Sequence, residues 1–174
     1  MSTRDRSIAI LFAVALLSGA AGAAPAPAPT AATAATVDAK LAEARGAVYA
    51  RKTASLKAVM RLDAAQQAAF DPLLAAYDAE LKALGDRRLA LIKEYASFYN
   101  SRSLDDKNAK RLVMETIKVK QDQLALFKKT FDKAAKAIGV TKAAEFIQVE
   151  NAFAAAVDTK LALEMPRVGS AMKQ

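Results

Sequence analysis

Two long stretches of the sequence repeat apolar residues at alternating steps of four and three, and this periodicity constrains the fold more than any other feature. Such spacing places the side chains on one face of an α-helix. The first stretch comprises Phe70, Leu74, Tyr77, Leu81, Leu84, Arg88, Leu91, Tyr95 and Phe98. The second comprises Val113, Ile117, Lys120, Leu124, Phe127, Phe131, Ala134 and Ile138. Because only a short polar break at 100–103 separates them, the two helices are predicted to form a long antiparallel hairpin.

Apolar periodicity on either side of this hairpin predicts two more helices. The first begins at Val37 and ends near Met60, and the last runs from about Lys142 to Glu164. The last helix has a predicted apolar stripe of Phe146, Val149, Phe153, Val157 and Leu161. We therefore predict an all-α domain of four helices over residues 37–168, in which the hairpin gives a cradle-like shape.

Local signals mark where the helices begin and end. Asp63 is a suitable N-cap, and Gln66 lies three residues later, which is the spacing of a capping box. Pro72 predicts a kink near Ala68 or a restart of the helix at Asp71. Ser103 or Asp105 is predicted to cap the second hairpin helix. Gly139 is well placed to end that helix.

The N-terminal residues predict export. Arg4 and Arg6 precede an apolar run from Ile8 to Leu17, and small residues ending at Ala23 follow it. Ten apolar residues are too few to span a bilayer, so residues 1–23 are predicted to be a cleaved secretory signal rather than an anchor. The Ala/Pro/Thr-rich residues 24–36 predict a linker, and residues 169–174 a loose tail. We expect a periplasmic protein with no integral membrane segment after cleavage.

The composition excludes several function classes. The 174 residues include no Cys, His or Trp, so thiolate and imidazole chemistry are absent from the chain. There is no glycine-rich phosphate loop and no nucleophile motif. We therefore expect neither a catalytic residue nor a metal or cofactor site, and we predict that the protein is not an enzyme.

The positive charge is unevenly distributed. The whole chain has 26 Lys and Arg against 18 Asp and Glu, and residues 101–136 carry ten of the basic and five of the acidic residues. The second hairpin helix therefore presents a basic face. That face is either a solvated surface that maintains solubility or a binding site for a polyanion or an acidic partner. We do not expect binding to nucleic acid.

The residues Leu62-Asp63-Ala64-Ala65-Gln66, followed by Phe70 and Pro72, resemble the Leu-Thr-x-x-Gln motif of the Spy/CpxP-like periplasmic proteins. Asp63 stands where that family usually has Thr. Residues 81–99 and the C-terminal residues Phe146, Gln148, Glu150, Asn151, Asp158, Glu164, Met165 and Pro166 extend the resemblance. It covers roughly residues 62–168. The second copy of the motif, at Val140-Thr141, lacks the Gln.

The resemblance implies an all-α fold, often a cradle-shaped homodimer, that binds unfolded envelope proteins without ATP. It also implies branches that modulate a stress sensor or respond to metal, and the absence of His and Cys conflicts with the metal branch. Unfolded or stress-sensor envelope proteins are the expected partners. The alternative is an envelope interaction module that binds a sensor protein or polyanion through the basic helix, without chaperone activity.

Two cations interrupt the apolar rows and lead to the site hypothesis. Arg88 and Lys120 lie among apolar positions, and the rows of the two hairpin helices supply no carboxylate. Burial of an unpaired charge costs roughly several kcal/mol, so we expect the charged groups of Arg88 and Lys120 to reach water or a partner. They either lie at the margin of the core or line an open concave surface. In the second case Tyr99, Phe127 and Lys128 complete the predicted binding surface.

Overall fold

The computed structural model describes residues 31–167, and these form four α-helices with no β-strand among them. The helices are α1 (Ala31–Met60), α2 (Ala64–Asn100), α3 (Asp106–Ile138) and α4 (Val140–Glu164). This confirms the all-α class and the four helices, whereas the cradle-like shape stays a prediction. The predicted signal sequence, residues 24–30 of the predicted linker and the predicted tail lie outside the described residues.

The chain divides into two compact units between Lys52 and Thr53, so α1 contributes to both. In the first unit α1 begins at Ala31, within the segment that the sequence assigns to the linker. No proline follows Pro29 there, and alanine is the strongest helix former, so the helix extends further than predicted. Within this unit the Lys52 ammonium lies 5.3 Å from the centre of the Tyr49 ring.

The second unit contains α2, α3, α4 and the last turns of α1, and it has two hydrophobic clusters. The main core lies where all four helices contribute; its buried members are Leu56, Met60, Phe70, Tyr77, Leu126, Phe127, Ala134, Ile138, Ala143 and Phe146. The Phe146 ring packs edge-on against Phe70 at 5.3 Å and against Tyr77 at 5.2 Å. A smaller tip cluster of Tyr95, Leu104 and Leu112 lies near the α2–α3 connection. The predicted apolar face of α2 therefore faces both clusters.

Ion pairs define the register of the helices. Glu80 and Arg87 of α2 pair with Lys129 and Asp122 of α3, each at 2.7 Å, so the two helices are antiparallel neighbours. Helix α4 then returns along α3 and contacts both of the other helices. The Tyr77 hydroxyl donates to Glu150 at 2.6 Å, and the Tyr95 hydroxyl donates to the backbone carbonyl of Pro166 at 2.9 Å.

The helix boundaries follow the local sequence signals in most places. Asp63 and Gln66 form the reciprocal hydrogen bonds of a capping box, and Asp105 caps α3 through the amide of Asn108. Gly139 separates α3 from α4 with a φ of 89°, a conformation that glycine adopts without a steric cost. The predicted restart at Asp71 is wrong. Helix α2 continues through Pro72, because the loss of one backbone donor is small beside the packing of the rest of the helix.

The predicted apolar stripe of α4 is partly wrong. Phe146 is fully buried, but Val157 is 44% exposed. The buried face instead includes Ala143 and Glu150. This difference arises because α4 packs against two helices at once, so its buried face is set by both neighbours rather than by one stripe of large residues.

Candidate functional site

The structure brings Arg88 and Lys120 together on one carboxylate. Asp158 of α4 lies 2.6 Å from an Arg88 guanidinium nitrogen and 3.0 Å from the Lys120 ammonium. The apolar rows of the hairpin helices supply no carboxylate, as the sequence indicates, but α4 supplies one. The two cations therefore tie α2 and α3 to α4, and their charges are paired within the chain.

The electrostatics of Asp158 fit this role. Partial burial raises the pKa of its carboxyl, but the hydrogen bonds from Lys120 and Arg88 and their positive charges outweigh burial. The net result is a pKa below the ordinary value of 3.8. The carboxylate therefore stays ionised and paired at neutral pH.

The structure buries one of the two aromatic site residues predicted from the sequence and half-buries the other. Phe127 is only 8% exposed and packs against Tyr77 in the main core, with the ring centres 6.2 Å apart. Tyr99 is half-buried against the tip cluster, where its ring lies 6.1 Å from that of Tyr95. Burial raises the pKa of the Tyr95 hydroxyl, and the neighbouring Tyr99 adds to that increase. Phe127 is therefore excluded from the candidate binding surface.

An exposed apolar row does occur on α3, but it does not include the predicted site residue Phe127. Val113 is 52% exposed, Ile117 43% and Leu124 69%. These three residues, which we call the outer row, belong to the apolar face that the sequence assigns to the interior. Met114, beside Val113, is also exposed. The sequence therefore predicts the outer row as part of the core, and the structure shows that it lies on the surface.

The physical reason is that α3 carries apolar residues on two of its faces. Leu112, Val119 and Leu126 form the inner row and are buried against the rest of the unit. A helix can turn only one of two adjacent faces fully towards its neighbours. Towards the end of α3 both rows are covered, because α1 and the start of α4 contribute to the main core there. Towards its beginning only the inner row is covered.

Cations surround the outer row. On a helix surface, residues three or four apart are neighbours, which places Lys110 beside Val113, Lys120 beside Ile117 and Leu124, and Lys128 beside Leu124. The Lys128 side chain is 79% exposed and pairs with Asp132 at 2.9 Å. Lys110 is exposed and has no ion pair within residues 31–167. Lys128 and Lys120 thus border an apolar surface, although that surface is not the predicted one.

The motif residues Leu62, Asp63 and Gln66 have a structural role. Leu62 packs against the main core. The Asp63 carboxylate accepts a hydrogen bond from the backbone amide of Gln66 at 2.8 Å. The Gln66 side-chain oxygen accepts from the Asp63 amide, while its nitrogen donates to the backbone carbonyl of Ile138 at 3.4 Å. Gln66 therefore connects the start of α2 to the end of α3.

The sequence analysis did not predict a buried polar contact between Tyr77 and Glu150. Glu150 is 2% exposed and accepts a hydrogen bond from the Tyr77 hydroxyl at 2.6 Å, within the aromatic part of the main core. The available signal was the spacing of four residues between Phe146 and Glu150, which places both on the same face of α4. A carboxylate at such a position indicates a partner from another helix.

Other observations define what the site does not offer. Across residues 31–167, no group of three or more Asp and Glu side chains comes together in a way that could hold a metal ion. None of the helices in this part of the chain is long and apolar enough to cross a bilayer. Comparisons with protein-family models, curated proteins and solved structures give no match for this chain.

Proposed function

We propose that this protein is exported to the bacterial periplasm and binds exposed segments of other envelope proteins without ATP, as a chaperone or a stress adaptor. The observation that carries this proposal is the outer row, in which Val113, Ile117 and Leu124 are exposed on a basic helix. The resemblance of residues 62–168 to the Spy/CpxP-like proteins supports it. The proposal includes no catalytic activity.

The surface suits partners without a fixed shape. Burial of apolar area contributes about 25 cal/mol per Å² and has no directional requirement. The neighbouring lysines attract acidic segments and accelerate their encounter with the surface. Both effects tolerate many different sequences, which is what the binding of unfolded chains requires. The proposal rests on the outer row rather than on Arg88 and Lys120, because Asp158 pairs with both of these cations.

Light scattering tests the proposal. The purified protein, without nucleotide, is added to a test protein that aggregates on dilution from denaturant. We expect stoichiometric amounts to suppress aggregation at both low and moderate salt, and an equal amount of an unrelated basic helical protein serves as the control. Unchanged aggregation at both salt concentrations would refute the proposal.

One observation favours a second candidate function, the binding of a sensor protein or polyanion without chaperone activity. Helix α3 has several exposed lysines that form no ion pair within residues 31–167, including Lys107, Lys110, Lys133 and Lys136. Binding of a polyanion should weaken steeply with salt, because it releases condensed counterions. Binding through apolar surface should persist. Binding of a polyanion and binding of an unfolded protein, each measured over a range of salt concentrations, therefore separate the two functions.

A further inference from the structure

The outer row is the exposed continuation of a packed helix face. Val113, Ile117 and Leu124 follow the same alternating spacing as Phe127 and Phe131, which lie in or against the main core. The covered part of this face is thus already a helix-packing surface within the second unit. Its open part, from Val113 to Leu124, spans about 16 Å, or three helical turns.

The charges around the outer row discriminate between possible occupants. Symmetric pairing with a second copy through this row would place Lys110 and Lys128 of one copy against the same cations of the other. Such like-charge contacts oppose association. An occupant with acidic residues on both sides of an apolar stripe would instead match the row and its border. Charge complementarity therefore favours an acidic partner over self-association.

The secondary structure of the occupant also follows from the surface. The outside of a helix offers side chains but no free backbone donors or acceptors, so an extended segment gains no backbone hydrogen bonds there and must keep its own backbone groups hydrated beside an apolar row. A helical segment satisfies its backbone internally. Its side chains at steps of four and three would fit between Val113, Ile117 and Leu124.

We propose that the outer row binds one amphipathic α-helix of a partner protein, about three turns long, with acidic residues flanking its apolar stripe. This inference rests on the proposed function and specifies the partner segment for the same surface. Lys110 and Lys128 contact the acidic flanks, while Ile117 and Leu124 contact the apolar stripe. The interaction requires no nucleotide and no metal.

Fluorescence anisotropy with designed peptides tests this proposal. The probe is a labelled, helix-stapled peptide of about fifteen residues with apolar residues at the four-and-three spacing and Glu on both flanks. A second peptide has the same composition with the apolar residues out of register, and a third has Lys in place of Glu. We expect only the first peptide to bind the purified protein.

Substitutions then locate the binding surface. We expect Ile117→Asp and Leu124→Asp each to weaken binding of the acidic peptide by about tenfold or more. Val140→Asp is the matched control, because Val140 is also an exposed apolar residue but lies at the start of α4, beyond the buried end of α3. It introduces the same charge and should leave the affinity within about twofold. Circular dichroism melting verifies that all three variants are folded.

A second pair of substitutions tests the role of charge. We expect Lys110→Gln with Lys128→Gln to weaken binding and to reduce its salt dependence. The matched control, Lys133→Gln with Lys136→Gln, removes the same charge from the other end of α3 and should have a smaller effect. Equal effects of the two double variants would indicate non-specific attraction and would overturn the proposal.

Other results would also overturn it. These are equal binding of the out-of-register peptide, equal weakening by Val140→Asp, a dimer that Leu124→Asp dissociates, and binding of anionic phosphatidylglycerol vesicles without binding of the peptide. The light-scattering assay separates this failure from failure of the proposed function. If Leu124→Asp suppresses aggregation as well as the wild type does, the proposed function stands and the docking site is wrong.

Discussion

The two ends of the second unit use the same three helices but are stabilised differently. At the main core, α1 joins α2, α3 and α4, and Phe70, Tyr77 and Phe146 fill the interior. The tip cluster has three buried members, Tyr95, Leu104 and Leu112, which belong to α2, the α2–α3 connection and α3. Between the two clusters, Asp158 of α4 pairs with Arg88 of α2 and Lys120 of α3.

This difference explains where an exposed apolar surface occurs. Where four helices contribute, both apolar rows of α3 are covered. Where three contribute, the inner row is covered and the outer row is left on the surface. The end with less buried apolar area is therefore the end that offers a surface for binding another protein. The comparison predicts that equivalent substitutions at the two ends lower the free energy of unfolding by different amounts.

The largest expected effect is the loss of a core aromatic ring. Phe146→Ala removes a fully buried side chain that contacts two other rings, so it should lower the free energy of unfolding by about 3–5 kcal/mol. Leu112→Ala, at the tip cluster, should cost less, near the lower end of the roughly 2–5 kcal/mol typical of such changes. Urea denaturation followed by circular dichroism measures both. Equal losses would contradict the proposed difference between the ends.

Two tyrosine hydroxyls allow a matched comparison. Tyr77→Phe removes a hydrogen-bond donor from the buried Glu150 carboxyl group, which should cost about 1–3 kcal/mol, because a buried acceptor that loses its donor is not compensated by water. Tyr95→Phe removes a donor to a backbone carbonyl and should cost about 1 kcal/mol. The same denaturation assay compares them. A larger loss for Tyr95→Phe would reverse the ranking of the two ends.

The ion pairs of Asp158 predict a pH dependence. Because the pKa of Asp158 is lowered in the folded protein, its contribution is fully present above the ordinary value of 3.8 and is lost as the pH falls through the lowered pKa. Asp158→Asn should cost about 1 kcal/mol or less at neutral pH, since the pairs are partly exposed and screened.

The difference in unfolding free energy between wild type and Asp158→Asn should therefore diminish from roughly pH 5 to pH 2. Asp132→Asn is the control, because Asp132 pairs with Lys128 within one helix at an exposed position. Its effect should be smaller at every pH. A constant difference for Asp158→Asn would show that its carboxylate does not stabilise the folded state through these pairs.

The smallest expected effect concerns the outer row itself. Leu124→Gln should change the free energy of unfolding by no more than about 0.5 kcal/mol, because Leu124 is exposed. Leu126→Gln, two residues along the same helix, places an amide in the main core and should cost about 2–5 kcal/mol. If both substitutions destabilise equally, the outer row is not a free surface.

Local features were largely predictable from the sequence. The capping box of Asp63 and Gln66, the cap at Asp105 and the break at Gly139 depend on a few adjacent residues, so their chemistry is visible in the order of the chain. The apolar face of α2 was also predictable, because most of the large apolar residues of this helix follow one row.

The candidate site was less predictable, because it depends on contacts between distant segments. Sequence periodicity identified Arg88 and Lys120 as exceptions but did not show that Asp158 pairs with both. It also assigned Val113, Ile117 and Leu124 to the interior, because periodicity shows that a face is apolar but not which neighbour covers it. Phe127 belongs to the same predicted apolar row and was a site residue only in the hypothesis of an open concave surface; the structure buries it.

The sequence by itself determined the helical class, most of the helix boundaries and the basic character of α3, since each depends on local propensity, capping or composition. Only the tertiary structure decided which of the two apolar rows of α3 is buried and which is exposed. Both rows consist of apolar residues at helical spacing, so local energetics does not separate them. Their burial depends on where α1 and α4 pack, and that depends on the fold of the whole unit.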